Sequence, residues 1–257
     1  MIKRKSAREI QFMRNAGKIA AEARQLAGKL VKAGVTTQSI DKQVHDYIVA
    51  QGAAPAFLGY RGYPASCCVS VNEQVIHGIP SDRKLVDGDV VSIDVGVMKD
   101  GFVGDCAATF SVGNCGENAE KLIETTRKCF YEGLKFARVG YRVSDISMAI
   151  QSCAEGNGFS IVRDYVGHGV GESIHEPPEV PNFAENPRRR ADPRLVPGMT
   201  LAVEPMVNAG SYEVEVLSDG WTVVTKDRKL SAHYENTILI TDSDPEILTI
   251  CQGCRHD

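Results

Sequence analysis

The sequence lacks several features that would assign it to a special class of protein. No stretch reaches the roughly 18 apolar residues of a membrane span, and polar positions interrupt the N-terminus where a signal peptide has its apolar core. Basic residues are not in excess, since 29 Lys and Arg stand against 33 Asp and Glu for a net charge of −4. A chain that neutralises phosphate backbones would be basic. The sequence therefore predicts a cytoplasmic protein with no membrane contact and no specific nucleic-acid partner.

The eight cysteines lack the spacing of a secreted disulfide scaffold, and Cys67 and Cys68 are adjacent. Reduced thiols are expected. The one CxxC, at Cys251 and Cys254, would need two further ligands to hold zinc, so a metal site there is the less favoured interpretation. With 257 residues, 43% of them hydrophobic, the chain can bury a core without disulfides or a structural metal.

The first hundred residues predict two helices followed by strands. Ser6 and Glu9 form a capping box at the start of a first helix, which ends by Gly34. A second helix follows and ends at Gly52. Over residues 69–110 the apolar period shortens to two and valine and isoleucine dominate, which is typical of strands.

The same order of elements then recurs. A helix over residues 118–139, a short helix ending near Gly158 and strands to about residue 240 are expected. Two blocks match directly, one at an offset of 106 residues and one at 110, and the second block ends in Asp94 in one copy and Glu204 in the other. The sequence predicts one domain over residues 1–257, with an internal duplication of about residues 6–112 and 117–241.

Two acids are expected on one face of a hairpin. The Asp-Gly pair at 100–101 lies between apolar runs and predicts a two-residue turn. Counting back from that turn places Asp94 opposite Ala107 and Asp105 opposite Gly96, so the two acids would be diagonal neighbours about 7–8 Å apart. Small residues on the same face would leave room between them. A register slip of one residue would put the acids on opposite faces.

A cation would resolve the repulsion between these acids. Glu204 and Glu235 are further acids in apolar, strand-like segments, and His168 lies between glycines that let the backbone come close to an ion. Each has an ordinary alternative, since a strand acid is more often ion-paired and a lone histidine is more often a core residue. The set as a whole favours a carboxylate-bridged centre for a hard or borderline divalent ion.

At this point the sequence resembles a known family, the methionine aminopeptidases. The resemblance covers nearly the whole chain and rests on five residues in the contexts SIDVG, GDCAATF, GHGVG, VEPM and YENT, which are Asp94, Asp105, His168, Glu204 and Glu235. It is closest to type I of bacterial or organellar kind, because Glu235 follows Glu204 by only 31 positions, which leaves no room for the type II insertion. The chain also begins almost directly at the first helix.

The resemblance implies an α+β pita-bread fold, with two pseudosymmetric halves whose curved antiparallel sheet is covered by helices. It implies removal of the initiator methionine from nascent polypeptides with a small second residue, by a hydroxide activated between two divalent ions (Co, Mn, Fe or Zn). Asp94 would chelate one ion, Asp105 and Glu235 would bridge both, and His168 with Glu204 would complete the other. Glu204 would also accept and shuttle the proton.

The resemblance also implies the residues that contact the substrate. His77 and His175 match two histidines that bind the peptide and stabilise the tetrahedral intermediate. The methionine pocket would be formed by apolar and polarizable side chains, although a core position is an alternative for each of them; they are Phe57, Tyr60, Tyr63, Cys68, Ile174 and Trp221. Many family members have a small residue at 57 and an aromatic at 174, so this chain exchanges bulk between the two.

Three alternatives remain at this stage. A pita-bread protein without activity could bind RNA or the ribosome, but such relatives lose metal ligands. Proline-specific relatives share the ligands yet carry a large N-terminal domain. The basic loop around Arg188–Arg190 and the Lys3–Lys5 start are ordinarily solvated, the alternative being a transient ribosome contact. A monomer is expected.

Overall fold

The computed structural model describes residues 2–184 and 192–251. The predicted loop at Arg188–Arg190 lies outside these residues. The helices are α1 (Ala7–Leu30), α2 (Thr37–Ala50), α3 (Glu117–Leu134) and α4 (Val143–Gly156), with a 3-10 turn at Tyr60–Gly62. The strands are β1 (Ala54–Pro55), β2 (Cys68–Val71), β3 (Gln74–Ile76), β4 (Val90–Lys99), β5 (Phe102–Ser111), β6 (Ser160–Ile161), β7 (Gly167–Gly169), β8 (Glu176–Val180), β9 (Thr200–Val203), β10 (Met206–Asn208), β11 (Val214–Val216), β12 (Val223–Thr225), β13 (Ser231–His233), β14 (Glu235–Leu239) and β15 (Glu246–Ile247).

The helix starts follow the capping signals of the sequence. The Ser6 hydroxyl accepts a hydrogen bond from the Glu9 amide, and the Glu9 carboxylate accepts one from the Ser6 amide at 2.7 Å. This confirms the predicted capping box at the start of α1. α3 ends at Leu134 and not at the predicted Val139, because the next amides donate three residues back, from Ala137 to the Leu134 carbonyl for example, and tighten the chain into turns.

The largest sheet holds nine strands among the described residues, in the order β1-β4-β5-β14-β9-β7-β8, with β2 beside β4 and β15 beside β14. Its central hairpin, β4–β5, has the predicted register: Asp94 lies opposite Ala107, and Gly96 lies opposite Asp105. The turn residues, Asp100 with φ 51° and Gly101 with φ 81°, are both left-handed, as a two-residue type I′ turn requires.

The sheet joins the two halves of the chain through strands β5 and β14. Only two residue pairs are in register there, Glu235 with Ala107 and Asn236 with Cys106. The Thr237 hydroxyl adds to the junction by accepting from the Asp105 amide and donating to the Asp105 carbonyl. From α1, Nη1 of Arg24 donates to the carbonyls of Ala107 and Glu235 at 3.2 and 3.0 Å. The guanidinium group of one arginine is thus hydrogen-bonded to both strands.

Each half has its own buried core. One cluster packs α1 and α2 against β2, β4 and β5, and another packs α3 and α4 against β9 and β14. A contact also recurs in each half: the Leu85 amide donates to the Val35 carbonyl, and the Leu195 amide donates to the Tyr141 carbonyl. The two carbonyl residues are 106 positions apart and the two amide residues are 110 positions apart, which are the offsets of the two matching sequence blocks. The agreement supports an internal duplication, which stays a prediction.

Two expectations need correction. Glu204 does not lie within a strand as Asp94 does, because β9 ends at Val203 and Glu204 occupies the bend before β10. The prediction of reduced thiols holds for six cysteines but is wrong for Cys251, which is disulfide-bonded and so offers no thiolate to zinc. Cys254 lies outside the described residues. Among the helices that the structure describes, none combines the length and apolar character of a bilayer span.

Candidate metal centre and substrate cavity

The predicted site residues come together in one cavity of about 270 Å³. All thirteen line it, together with two that the sequence analysis missed, Arg61 and Tyr165. The thirteen are Phe57, Tyr60, Tyr63, Cys68, His77, Asp94, Asp105, His168, Ile174, His175, Glu204, Trp221 and Glu235. Tyr165 lies three residues before His168, a nearness that sequence reasoning could have used. In the structure its ring packs edge-on against His77 at 5.9 Å between centroids.

Four carboxyl groups meet at the bottom of this cavity. Asp94 and Asp105 come from the β4–β5 hairpin, Glu204 follows β9, and Glu235 opens β14, so each half supplies two. Buried oxygens of Asp94, Asp105 and Glu235 have no hydrogen-bond partner in the described structure. A buried oxygen without a partner is costly, and a cation would remove that cost.

His168 brings an imidazole nitrogen to the carboxyl groups. Its Nδ1 lies 2.9 Å from the Gly169 carbonyl, which can only accept, so Nδ1 carries the proton and the Nε2 lone pair faces the cavity. That Nε2 lies 3.4 Å from Glu204 Oε1 and 3.9 Å from Asp105 Oδ2. Ligand atoms of Asp105, His168 and Glu235 lie within 4.8 Å of one another, a spacing that one metal ion can span.

Burial makes every acid of the cluster hard to ionise. It raises the pKa of Asp94 to about 7. Burial and the charge of Asp94 raise the pKa of Asp105 well above its usual range. The pKa values of Glu204 and Glu235 are raised well above theirs by burial first and by the neighbouring acids second. Cations would offset both effects, so the donor set fits divalent metal ions.

The histidines of the cavity are neutral at neutral pH. Burial, with a smaller effect of the His175 charge, lowers the pKa of His168 to about 3 and that of His77 to about 4. Burial also lowers the pKa of His175. A fourth imidazole, His233, was not singled out in the sequence although it precedes Glu235 by two residues; burial and then His77 lower its pKa to about 3. Neutral imidazoles are the form that binds metal.

Aromatic rings form the wall opposite the acids. The Tyr60 hydroxyl lies 2.8 Å from His175 Nδ1, and the Trp221 ring packs edge-on against Tyr63 at 5.1 Å and His77 at 6.2 Å. Phe57 lies against Gly96: a Cβ on this glycine would be 2.5 Å from the Phe57 ring. Part of the space that was expected between the hairpin acids is therefore filled by this ring.

Comparison with known proteins gives a consistent result. The model of metallopeptidase family M24 matches residues 11–242. A methionine aminopeptidase of Clostridium perfringens is 54% identical over 250 residues, which cover 97% of this chain and 99% of that relative. The crystal structure of the Thermotoga maritima methionine aminopeptidase superposes with a TM-score of 0.93 at 43% identity, covering 97% of this chain and 99% of that one. The prolidase of Pyrococcus furiosus, 22% identical with a TM-score of 0.78, shares the fold over 97% of this chain and 66% of its own.

Proposed function

Because the chain belongs to metallopeptidase family M24 and, within it, to the methionine aminopeptidases, we propose that the acidic cluster is its metal centre. The ligands would be the five residues of the sequence prediction, Asp94, Asp105, His168, Glu204 and Glu235. The observation that carries this proposal is the convergence of four hard-to-ionise carboxyl groups and a lone-pair nitrogen in one cavity. Family membership shows a divalent-metal hydrolase of pita-bread fold that acts on N-terminal methionine.

We propose two ions per chain, drawn from Co, Mn, Fe or Zn. Asp94 would serve one ion, Asp105 and Glu235 both, and His168 with Glu204 the other. When bound, such ions make water nucleophilic at neutral pH and polarise a carbonyl. The proposed ligands fit any of these ions, since mixed carboxylate and imidazole donors suit several borderline divalent ions.

Glu204 is the proposed proton acceptor. Its Oε1 lies 3.4 Å from His168 Nε2 and the residue lines the cavity, so its carboxylate is placed to take up a proton there. It lies between β9 and β10 and not in a paired strand. In this role it would collect the proton from the attacking water and deliver it to the departing amine.

His77 and His175 are the proposed contacts for the peptide. Both are neutral at neutral pH and line the cavity. If the Tyr60 hydroxyl donates to His175 Nδ1, the His175 proton is at Nε2 and can be donated to the developing oxyanion. The methionine side chain would lie among the aromatic and sulfur groups of the cavity wall, a lining suited to a thioether.

Removal of the metal tests this proposal. Treatment with EDTA should abolish methionine release from Met-Ala-Ser, and added Mn, Co or Fe should restore it. The assay is chromatographic detection of free methionine, with metal content measured on the same samples to count ions per chain. Methionine release that persists in protein shown to be free of metal would contradict the mechanism.

We further propose that the chain works as a monomer in the cytoplasm, on nascent polypeptides whose second residue is small. A transient ribosome contact through the Lys3–Lys5 start is weakened by the structure, because Lys5 is buried against Glu176 and Lys3 pairs with Glu172. Cosedimentation with ribosomes that is unchanged in a Lys3→Met, Arg4→Met variant would place any such contact elsewhere.

A further inference from the structure

His233 is a buried imidazole beside the proposed metal centre and does not belong to its five ligands. Its side chain is 2% exposed. The backbone on which it stands is held on both sides: its amide donates to the Thr109 hydroxyl at 2.9 Å, the same hydroxyl donates to its carbonyl at 2.8 Å, and Met206 is its partner across the sheet. The ring therefore has a defined position.

The Nε2 atom of His233 faces two of the proposed ligands without a hydrogen-bond partner. It lies 3.9 Å from Glu204 Oε2 and 3.9 Å from Glu235 Oε2. These distances are too long for hydrogen bonds, and a buried polar atom without a partner destabilises the fold. A ring that only supported one of the carboxylates would lie within hydrogen-bonding distance of it.

The distances instead fit a shared cation. An imidazole nitrogen and a carboxylate oxygen each bind a first-row divalent ion at about 2.0–2.2 Å, so one ion can join atoms up to about 4.2 Å apart. The two separations from His233 Nε2 fall inside this limit. His168 Nε2 lies beside Oε1 of Glu204 and His233 Nε2 beside Oε2, so the two imidazoles flank different oxygens of one carboxylate.

We propose that His233 Nε2 is a sixth protein ligand of the metal centre, binding the ion that Glu204 and Glu235 hold. The inference rests on the proposed metal centre and adds a second nitrogen donor to it. Nitrogen donors favour borderline ions such as Fe, Co and Zn over hard ions such as Mn. His233 therefore biases this centre toward Co and Fe relative to a centre with one imidazole.

Calorimetric titration of the metal-free protein with Co²⁺ and Mn²⁺ tests the selectivity. His233→Gln should weaken Co²⁺ binding by about tenfold or more, since even the loss of an outer partner of a ligand costs about 10–100-fold. Mn²⁺ binding should weaken less. His45→Gln, on α2 and hydrogen-bonded to Ser66, is the matched control and should bind both ions as the wild type does. Equal Co²⁺ affinity in His233→Gln and wild type would overturn the proposal.

Proton NMR of the Co²⁺-loaded wild type gives a second test that needs no variant. Each coordinated imidazole contributes one strongly shifted, solvent-exchangeable N–H signal, so two signals are expected and one would overturn the proposal. The outcomes separate the two levels of inference. If the wild type binds Co²⁺ and releases methionine but shows one signal, only the role of His233 is contradicted. If the wild type binds no ion, the proposed metal centre is contradicted as well.

Discussion

Asp105 is the residue on which the proposed metal centre most depends. It lies between the other acids, its buried Oδ1 has no hydrogen-bond partner, and its Oδ2 faces His168. Its pKa is raised by burial and by Asp94, so in the absence of metal its charge destabilises the fold. The same carboxylate is thus unfavourable for folding and, as a proposed ligand, favourable for metal binding, a balance often found at functional sites.

Asp105→Asn should separate these two properties. The amide carries no charge, so the melting temperature of the metal-free variant should equal or exceed that of metal-free wild type. Methionine release should fall by more than about 100-fold, since a ligand of the metal is lost. Asp100→Asn, in the turn of the same hairpin, is the control and should keep full activity. Full activity in Asp105→Asn would mean that the residue is not a ligand.

The bulk exchanged between positions 57 and 174 gives a prediction on selectivity. Phe57 and Ile174 are both buried and both line the cavity. We expect the two volumes to compensate, so Met-Ala-Ser should be cleaved far faster than Leu-Ala-Ser. Phe57→Cys should raise KM for Met-Ala-Ser by opening space above Gly96, and Ile174→Phe added to it should recover part of the loss. Comparable turnover of the two peptides by the wild type would contradict compensation.

At the scale of residues, the hairpin could be predicted because its register follows from counting away from an Asp-Gly turn, which the structure confirms at Asp94 and Asp105. His233 was missed, although it precedes Glu235 by two residues. The pairing of β13 with β10 and the hydrogen bond to Thr109, which hold its backbone, cannot be read from the sequence. Residues brought in by contacts distant in the chain are the ones that sequence reasoning misses.

Helix α1 and strand β5 approach each other at the level of backbone atoms. A Cβ on Gly104 would lie 2.5 Å from Cα of Gly17, and a Cβ on Gly17 would lie 2.4 Å from the Leu248 carbonyl oxygen. Backbone atoms cannot move aside for an added methyl group as the end of a flexible side chain can. The two glycines thus set the distance between α1 and the strand that carries Asp105.

Gly104→Ala should therefore push α1 away from the sheet. A loss of about 1–3 kcal/mol is expected from such overpacking, which at roughly 2–4 °C per kcal/mol is measurable by calorimetry. Gly156→Ala is the control: it lies at the end of α4, nothing lies within 4 Å of its added Cβ, and the change should be neutral or slightly stabilising. Equal melting temperatures for Gly104→Ala and wild type would show that the helix moves at no cost.

At the scale of elements, all four helices and the main strands of the first half could be predicted from period and caps. The second half was harder, because β6 to β15 have two to five residues each and too few positions to show a period. Glu204 shows the consequence. Its apolar neighbours indicate a strand, whereas the chain bends there between two short strands.

A buried ion pair fastens the first segment of the chain to the second half. Lys5 Nζ lies 2.8 Å from Glu176 Oε2, with side chains 4% and 7% exposed, and the Lys5 amide donates to the Gly198 carbonyl. Glu176 adjoins His175, so the pair also bears on the position of a proposed substrate contact. The Lys3–Glu172 pair beside it is exposed at both ends and contributes little.

Lys5→Met should leave the Glu176 carboxylate buried and unpaired. Breaking a buried pair in this way costs about 3–5 kcal/mol, so a clear drop in melting temperature and in kcat is expected. Glu176→Gln added to Lys5→Met should recover part of the stability, since no unpaired charge remains. Lys3→Met is the control and should melt as wild type does. Equal melting of the Lys5 and Lys3 variants would mean that the buried pair contributes nothing.

For the whole molecule, the order of elements and the offset matches predict two related halves, and this duplication stays a prediction, whereas the family comparisons show the pita-bread fold. The way the halves meet was not predictable. The junction of β5 and β14 and the Lys5–Glu176 pair join residues more than 120 positions apart, and neither pattern nor propensity constrains such distances.

The short junction between β5 and β14 makes the enzyme suitable for fragment complementation. Cleavage in the connection between Ser111 and Glu117 would leave Asp94 and Asp105 on one polypeptide and His168, Glu204 and Glu235 on the other. Neither polypeptide could hold the complete ligand set by itself. Each fragment alone would be inactive. Methionine release that returns when the two fragments are mixed would therefore show that they associate.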